Sequence, residues 1–158
     1  MKHIRTFISP AFVFLFFACV VQLALAAGEI KVGFGSLQGY IIRPKMAPKS
    51  GFNTQLFSRK EQFEEYYMTA TGKKAGKLDF NRFVVLVCQS APTQVETHLK
   101  LEKLVKVNGV MEVHFSATYG AKRKDSYSPA CMYTTAIDKS LASMVYYING
   151  KVVQDLRN

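Results

Sequence analysis

The sequence predicts an α+β domain, in which a twisted, mostly antiparallel sheet, either open or barrel-like, packs against one helix. Three observations lead to this prediction. After residue 28, apolar and polar residues alternate with a period of two through most of the chain, which is typical of half-buried strands. One segment after Ser58 has helical spacing instead. Residues 83–88 are apolar at both parities, which indicates a strand covered on both faces.

The first 26 residues differ from the rest of the chain and predict a signal peptide. Residues 12–21 are apolar, basic residues precede them, and Ala24-Leu25-Ala26 supplies the small residues that a signal peptidase reads. We expect a single domain over residues 27–158, periplasmic or secreted, with no transmembrane segment. The alternatives are a retained membrane helix and a lipoprotein anchored through Cys19.

Short strands and glycine turns are predicted next. Residues 29–34 alternate, and Tyr40-Ile41-Ile42 follows Gly39, which indicates an N-terminal hairpin or paired edge strands. Residues 43–55 contain two prolines, a glycine and two lysines. We therefore expect this second segment to be a surface connection.

One helix is predicted between Ser58 and Gly72. Ser58 is a favourable N-cap, and Glu61 three residues later completes a capping box. The apolar residues that follow at helical spacing are Phe63, Tyr66, Tyr67 and Ala70. This aromatic stripe predicts a face packed on the core rather than a cofactor site.

The central strand is predicted at Phe83 to Cys88, under the helix, and Pro92-Thr93 then marks a turn. Residues 95–107 and 111–119 predict a long hairpin with apolar residues at odd positions of both strands. A two-residue loop at Asn108-Gly109 would split this apolar face.

A three-residue loop, Val107 to Gly109, keeps the apolar face of the long hairpin whole. Gly109 is then left-handed in a bulge. The pairs expected in this register are Val105 with Met111, Leu101 with Phe115, and Leu99 with Ala117. We therefore predict the longer loop.

The last third of the chain predicts a loop and three strands. Residues 121–128 are polar and basic, which favours a loop. Residues 131–138 alternate loosely, and residues 143–148 and 151–156 predict a final hairpin about Asn149-Gly150. In all, the sequence predicts six to eight strands and one helix.

Cys88 and Cys131 lie in two apolar segments that both have the pattern of strands. Outside the cytoplasm they would meet an oxidising environment, so a disulfide between them is one interpretation. Two separately buried thiols that behave as small hydrophobic side chains are the other. The sequence leaves both open.

No catalytic or metal-binding motif stands out, and we expect no enzyme, no metal and no cofactor. His98 and His114 fall on the predicted polar face of the long hairpin, without the spacing of a metal site. No serine lies in a Gly-x-Ser-x-Gly elbow. An unrecognised hydrolase is the enzymatic alternative.

Positive charge points to acidic partners. The formal net charge is +10 for the whole chain and falls to +8 without the first 26 residues, which contain Lys2 and Arg5 and no acidic residue. Anionic lipid headgroups, acidic glycans and acidic protein surfaces all fit this charge. Nucleic acid is not expected for an exported chain. The basic clusters are Lys73-Lys74-Lys77, Lys100-Lys103-Lys106 and Lys122-Arg123-Lys124.

The segment from Phe57 to Ser140, about half the chain, contains a series of features in a fixed order. They are the Ser58-capped helix, Leu78-Asp79-Phe80, the buried strand 83–88, Pro92-Thr93, the hairpin about Asn108-Gly109, Ser128-Pro129 and the strand ending Ile137-Asp138-Lys139. This order resembles the C-terminal domain of the protease complex subunit PrcB family of exported bacterial proteins. In that family the Pro-Thr pair is usually followed by Gly-Gly-Tyr, whereas Gln94-Val95-Glu96 follows it here. The resemblance implies a non-catalytic protein that associates with, or stabilises, an exported protease.

A protein-interaction module is therefore the function we expect, with its contact surface in the loops 90–96 and 121–127, because loops at one end of a sheet commonly carry recognition. The alternatives are a binder of acidic glycan or lipid headgroups through the basic loop, and a small protease inhibitor, since Pro-Thr-containing loops also resemble those of β-sheet inhibitors of papain-like cysteine proteases. The residues expected to bind are Pro92, Thr93, Gln94, Lys122, Arg123, Lys124 and Tyr127.

Overall fold

The computed structural model describes residues 28–73, 75, 78–136 and 143–156. These residues are mostly β, with one short α-helix, α1 (Lys60–Tyr66), and a 3₁₀ turn at Pro44–Met46. The strands are β1 (Ile30–Lys31), β2 (Phe34–Ser36), β3 (Tyr40–Ile42), β4 (Phe52–Phe57), β5 (Tyr67–Thr69), β6 (Phe83–Ser90), β7 (Thr93–Val107), β8 (Val110–Tyr127), β9 (Ala130–Ala136), β10 (Ser143–Ile148) and β11 (Lys151–Asp155).

The described strands form three open sheets rather than one. The five-stranded sheet has the order β1-β7-β8-β10-β11, the four-stranded sheet has the order β2-β9-β6-β4, and β3 pairs with β5. Neighbouring strands are antiparallel except β8 and β10, which are parallel, so the five-stranded sheet is mixed. The prediction of a mostly antiparallel sheet structure with one helix is therefore confirmed in outline, although the strands are divided among three sheets. No closed barrel forms among the described strands.

The four-stranded sheet is the middle layer of the molecule. On one face, Leu86 and Cys88 of β6 join an apolar cluster with residues of β7, β8 and β10. On the opposite face, Val85 and Val87 pack with Phe63 of α1 and other residues beside the helix. Burial on both faces explains why β6 is apolar at both parities, and the prediction of a central strand under the helix is confirmed.

The helix is shorter than predicted at both ends. Its N-cap is Arg59, without a side-chain hydrogen bond, so the predicted Ser58 capping box is wrong. Phe57, the last residue of β4, packs its ring against Phe63 at 5.6 Å between centroids. The chain turns between these two residues, and the helix begins only at Lys60. The core position of Phe63 is confirmed, since its side chain is buried.

At its C-terminal end the helix gives way to β5. Tyr67 is already extended, although its backbone N–H still donates to the Phe63 carbonyl. The chain then pairs with β3, with Tyr67 opposite Ile42 and Thr69 opposite Tyr40. A helix this short is marginal alone, so strand pairing supplies backbone hydrogen bonds that further helical turns would otherwise provide.

The N-terminal segment also departs from the prediction. β1, β2 and β3 are edge strands, but they do not pair with one another: β1 pairs with β7, β2 with β9 and β3 with β5. Part of the predicted surface connection 43–55 is strand β4, which pairs with β6 along its whole length. Its neighbours in sequence are proline- and glycine-rich, which concealed this strand.

The long hairpin turns through two residues, not three. Asn108 (φ 50°) and Gly109 (φ 83°) are both left-handed, as a type I′ turn requires, so the predicted bulge at Gly109 is wrong. Val105 lies opposite Glu112, and Leu104 lies opposite Val113 in the core between the sheets.

A bulge further along β7 restores the predicted register. The pairing shifts between Leu101 and Lys103, and beyond it Leu101 faces Phe115 and Leu99 faces Ala117, as expected. The preference of Asn-Gly for a tight turn therefore determines the loop length of the hairpin. The extra residue Glu102 then returns the apolar residues of β7 to the core face.

The final hairpin, β10–β11, is confirmed about Asn149 and Gly150, both with positive φ. Several predictions lie outside the described residues: the signal peptide and Cys19, Lys74 and Lys77, and the strand end at 137–139. Among the residues that the structure describes, no helix has the length and apolarity needed to cross a bilayer.

Candidate functional site

The long β7–β8 hairpin extends well beyond the strands that flank it. β1 pairs with β7 only at Val105 and Lys106, and β10 pairs with β8 only as far as Phe115. We call the part beyond these contacts the distal ribbon: Thr93–Lys100 of β7 and Ser116–Tyr127 of β8. Residues 118–126 are all exposed.

Both segments predicted as binding loops belong to strands of this ribbon. Thr93 pairs with Tyr127, and Val95 pairs with Lys122. The prediction of loops is therefore wrong for residues 93–96 and 121–127, which are strand, whereas Ala91 and Pro92 do connect β6 to β7 and Ser128 lies between β8 and β9. Residues 118–126 of the ribbon are all exposed, so this stretch has no need of alternating apolar residues and its sequence has the polar character of a loop.

Irregular pairing gives the distal ribbon its shape. Register shifts occur between Thr93 and Val95 and again between Val95 and Thr97, and such bulges increase local twist. Gly120 faces the Glu96 side chain so closely that a β-carbon there would lie 2.8 Å from Glu96 Oε2. Glycine at this position therefore lets the glutamate lie across the ribbon.

Tyr127 holds the two strands of the ribbon together. Its hydroxyl accepts a hydrogen bond from the Thr97 N–H (2.7 Å) and donates one to the Thr97 carbonyl (3.2 Å). The Arg123 guanidinium lies over the Tyr127 ring, 4.5 Å from its centroid, in a cation–π contact. Gln94 Nε2 donates to the Lys124 carbonyl (3.5 Å). Tyr127 and Gln94 thus position the basic residues.

The structure brings all the residues predicted to bind together in or beside the distal ribbon. Pro92 is exposed just before Thr93, where the ribbon joins β6. Lys122, Arg123 and Lys124, which we call the basic triad, are consecutive exposed residues of β8, and none forms an ion pair with a described carboxylate.

The ribbon as a whole carries four lysine and arginine residues against two carboxylates. The two carboxylates are Glu96, which pairs with His98 at 3.2 Å, and Asp125, which directly follows the triad. The ribbon therefore carries a net positive charge.

A feature that the sequence did not reveal is the open edge of β8. Asn149 ends the pairing on that side: its Oδ1 accepts from the Ala117 N–H (2.9 Å), and its Nδ2 donates to the Ala117 carbonyl (3.0 Å). Beyond Ala117 no described strand pairs with that side of β8. The Asn-Gly turn is visible in the sequence, but its contact with β8 depends on the parallel pairing of β8 with β10.

Titratable groups near the base of the hairpin form local pairs rather than a reactive cluster. His114 Nε2 lies 3.0 Å from Glu112 Oε2, and its ring stacks on Tyr147 with 4.4 Å between centroids. Hydrogen bonds from Ser116 and from Lys100 lower the pKa of the Glu102 carboxyl. Within the described ranges, no group of three or more His, Cys, Asp or Glu side chains could hold a metal ion.

Cys88 and Cys131 lie directly opposite each other on β6 and β9. A hydrogen bond to Cys131 and burial raise the pKa of the Cys88 thiol. Cys131 also lines an open groove of about 640 Å³, together with residues of the β2–β3 connection and β9. Both cysteines are free in the structure.

Comparison with known proteins adds no relative: no family model, no curated protein and no solved structure matches this chain. The resemblance to the PrcB family therefore stays a prediction from the order of motifs. The geometry of the distal ribbon is the basis for a functional assignment.

Proposed function

We propose that this chain is an exported, non-catalytic protein-interaction module that binds an acidic partner protein through the distal ribbon. The observation that supports it is the pairing of two segments, distant in sequence, in one ribbon that carries the exposed basic triad. The order of sequence motifs suggests an exported protease, or a subunit bound to one, as the partner.

The contacts within the ribbon suggest how the binding works. Tyr127 is tied to Thr97 and covered by Arg123, so it fixes the ribbon rather than reaching out to a partner. Lys122, Arg123 and Lys124 then supply the contact charges on a framework that is already ordered. A pre-ordered surface loses little conformational entropy on binding, and charge complementarity speeds association and selects the partner.

A cross-linking experiment tests this proposal. The full chain, with an affinity tag, is cross-linked in the cell envelope of its own source, and the captured proteins are identified by mass spectrometry. The triad variant (Lys122→Gln, Arg123→Gln, Lys124→Gln) should lose an acidic protein that the unmodified chain captures. The control variant (Lys45→Gln, Lys49→Gln, Lys60→Gln) makes the same change in net charge at exposed lysines elsewhere and should retain that protein. Identical captured proteins for all three chains would contradict the proposal.

Binding of acidic glycan or lipid headgroups is the second candidate, and the exposed triad without ion-pair partners favours it. A heparin column and vesicles containing anionic lipid separate it from the first. If the ribbon binds such polyanions, the triad variant should elute at clearly lower salt and bind fewer vesicles than the control variant. If binding depends only on net charge, the two variants should elute at the same salt concentration and bind the same amount of vesicles. That result would contradict a glycan- or lipid-binding function of the ribbon.

A further inference from the structure

The two cysteines occupy a single rung of the middle sheet. Cys88 and Cys131 are register partners in the antiparallel pair β6–β9, so their side chains lie on the same face. Directly opposite residues in such a pair have α-carbons about 4.5–5.5 Å apart, within the range of about 4.4–6.8 Å that a disulfide spans. The Cys131 side chain is also close enough to raise the pKa of the Cys88 thiol. No rearrangement of the sheet is needed to join them.

The two sulfur atoms differ in accessibility. Cys88 is fully buried, between the middle sheet and the five-stranded sheet, whereas Cys131 is only partly buried. Cys131 lines the open groove of about 640 Å³, which also includes Lys73 and Tyr133. A reagent can therefore approach Cys131 from solvent, whereas Cys88 exposes no surface to it.

We propose that Cys88 and Cys131 are a redox pair that closes to a cross-strand disulfide, with Cys131 as the entry thiol and Cys88 as the resolving thiol. The oxidant is a disulfide donor, such as a dithiol oxidase of the exported compartment or oxidised glutathione. This inference does not depend on the proposed function of the ribbon.

The exchange proceeds in two steps. The Cys131 thiolate attacks one sulfur of the donor disulfide, whose other sulfur leaves as a thiol, so that Cys131 and the donor form a mixed disulfide. The Cys88 sulfur then attacks the Cys131 sulfur and expels the remaining donor sulfur as a thiolate, which takes up the Cys88 proton. Two protein thiols are oxidised, one donor disulfide is reduced to two thiols, and the two protons end on those thiols.

The burial of Cys88 sets the order of these steps. Burial and the hydrogen bond to Cys131 raise the pKa of the Cys88 thiol, so Cys88 stays protonated and is a poor first nucleophile. Once Cys131 carries the donor, the two sulfur atoms are held together by the β6–β9 pairing. The second step is then intramolecular and faster than the reaction of Cys88 with a second donor molecule.

Thiol labelling of the reduced, folded chain tests the order. An alkylating reagent should modify Cys131 at least roughly ten times faster than Cys88, which should react only after unfolding. Peptide mapping assigns each thiol, so that Cys19, where it is retained, is counted separately. Faster labelling of Cys88 than Cys131 would overturn the assignment of roles.

Oxidation with glutathione disulfide tests the bond itself. The unmodified chain should lose two hydrogen atoms in mass and yield a linked peptide pair containing Cys88 and Cys131, without forming dimers. The Cys88→Ala variant should instead retain one glutathione on Cys131. If that variant does not fold, the mass and the linked peptides of the unmodified chain still test the proposal. A stable glutathione adduct on Cys131 with Cys88 free, or two free thiols after oxidation, would disprove the proposal.

Discussion

Removal of the Tyr127 hydroxyl should loosen the distal ribbon at a defined amide. Tyr127→Phe keeps the ring under Arg123 but deletes the hydrogen bonds of 2.7 and 3.2 Å to the Thr97 backbone. Each hydrogen bond contributes a net of about 0.5–1.5 kcal/mol, and Thr97 is buried, so its backbone groups gain little from water. We expect local stability to fall by about 1–2 kcal/mol.

Amide hydrogen exchange at Thr97 measures this loss directly. A change of about 1–2 kcal/mol corresponds to exchange that is about 5–30 times faster, provided that the amide exchanges through local opening of the ribbon. Amides of β6, in the middle sheet, should keep their protection because neither Tyr127 nor Thr97 belongs to the apolar clusters that β6 joins. The measurement is hydrogen exchange followed by NMR under native conditions.

Tyr119→Phe is the matched control, since it makes the same chemical change on the same strand. Tyr119 is 61% exposed, and no hydrogen bond of its hydroxyl is found among the described residues. It should leave exchange at Thr97 unchanged. Equal exchange rates in the Tyr127→Phe variant and the unmodified chain would refute the role of Tyr127, as would an equal acceleration by Tyr119→Phe.

Three further predictions concern the rest of the fold. Phe63→Ala should lower the free energy of unfolding by about 3–5 kcal/mol in urea titrations, because Phe63 is buried among aromatic rings; a loss below about 1 kcal/mol would contradict its core role. Asn149→Ala should lower the free energy of unfolding by about 1–2 kcal/mol and speed hydrogen exchange of the Ala117 amide, which donates to the Asn149 side chain. Unchanged exchange at Ala117 would exclude this role of Asn149. Ser116→Ala should raise the pKa of Glu102 in an NMR titration. Since folding lowers that pKa, the stabilisation by Glu102 is present above its unfolded pKa and is lost as pH falls through the folded one. A Glu102 titration unaffected by the substitution would rule out this hydrogen bond.

Elements whose pattern reports burial could be predicted from the sequence. Strand β6 is covered by an apolar layer on each face, and this leaves a continuous apolar run from Phe83 to Cys88. The final hairpin combines alternation with Asn149-Gly150, which favours a tight turn with two left-handed residues. In both cases a local signal and the tertiary environment agree.

The elements that were predicted wrongly are those whose secondary structure depends on pairing with distant parts of the chain. The ribbon strands around Lys122 and Gln94 are exposed on both faces, so no burial pattern distinguishes them from a loop. The helix ends at Tyr66 because β3 is available to pair with the next residues. The bulge at Glu102 exists because the two-residue turn alone would place the apolar residues of the two strands on opposite faces. The residue pattern of one strand does not reveal such a shift in pairing.

The candidate site could be predicted in its residues but not in its arrangement. The sequence singled out Lys122 to Lys124 by charge and Pro92 to Gln94 by position in the chain. Their meeting on one ribbon depends on the register of β7 with β8, which places Thr93 beside Tyr127. The roles of Tyr127 and Gln94 as positioning residues also follow from that register.

The pairing of the N-terminal strands with distant partners affects when the chain can fold. Phe34 pairs with Thr135, and Ile30 pairs with Lys106, so both large sheets need residues from opposite ends of the sequence. Long-range contacts of this kind slow folding, because loop closure precedes any gain from pairing. During synthesis, neither large sheet can therefore be complete until most of the polypeptide has emerged.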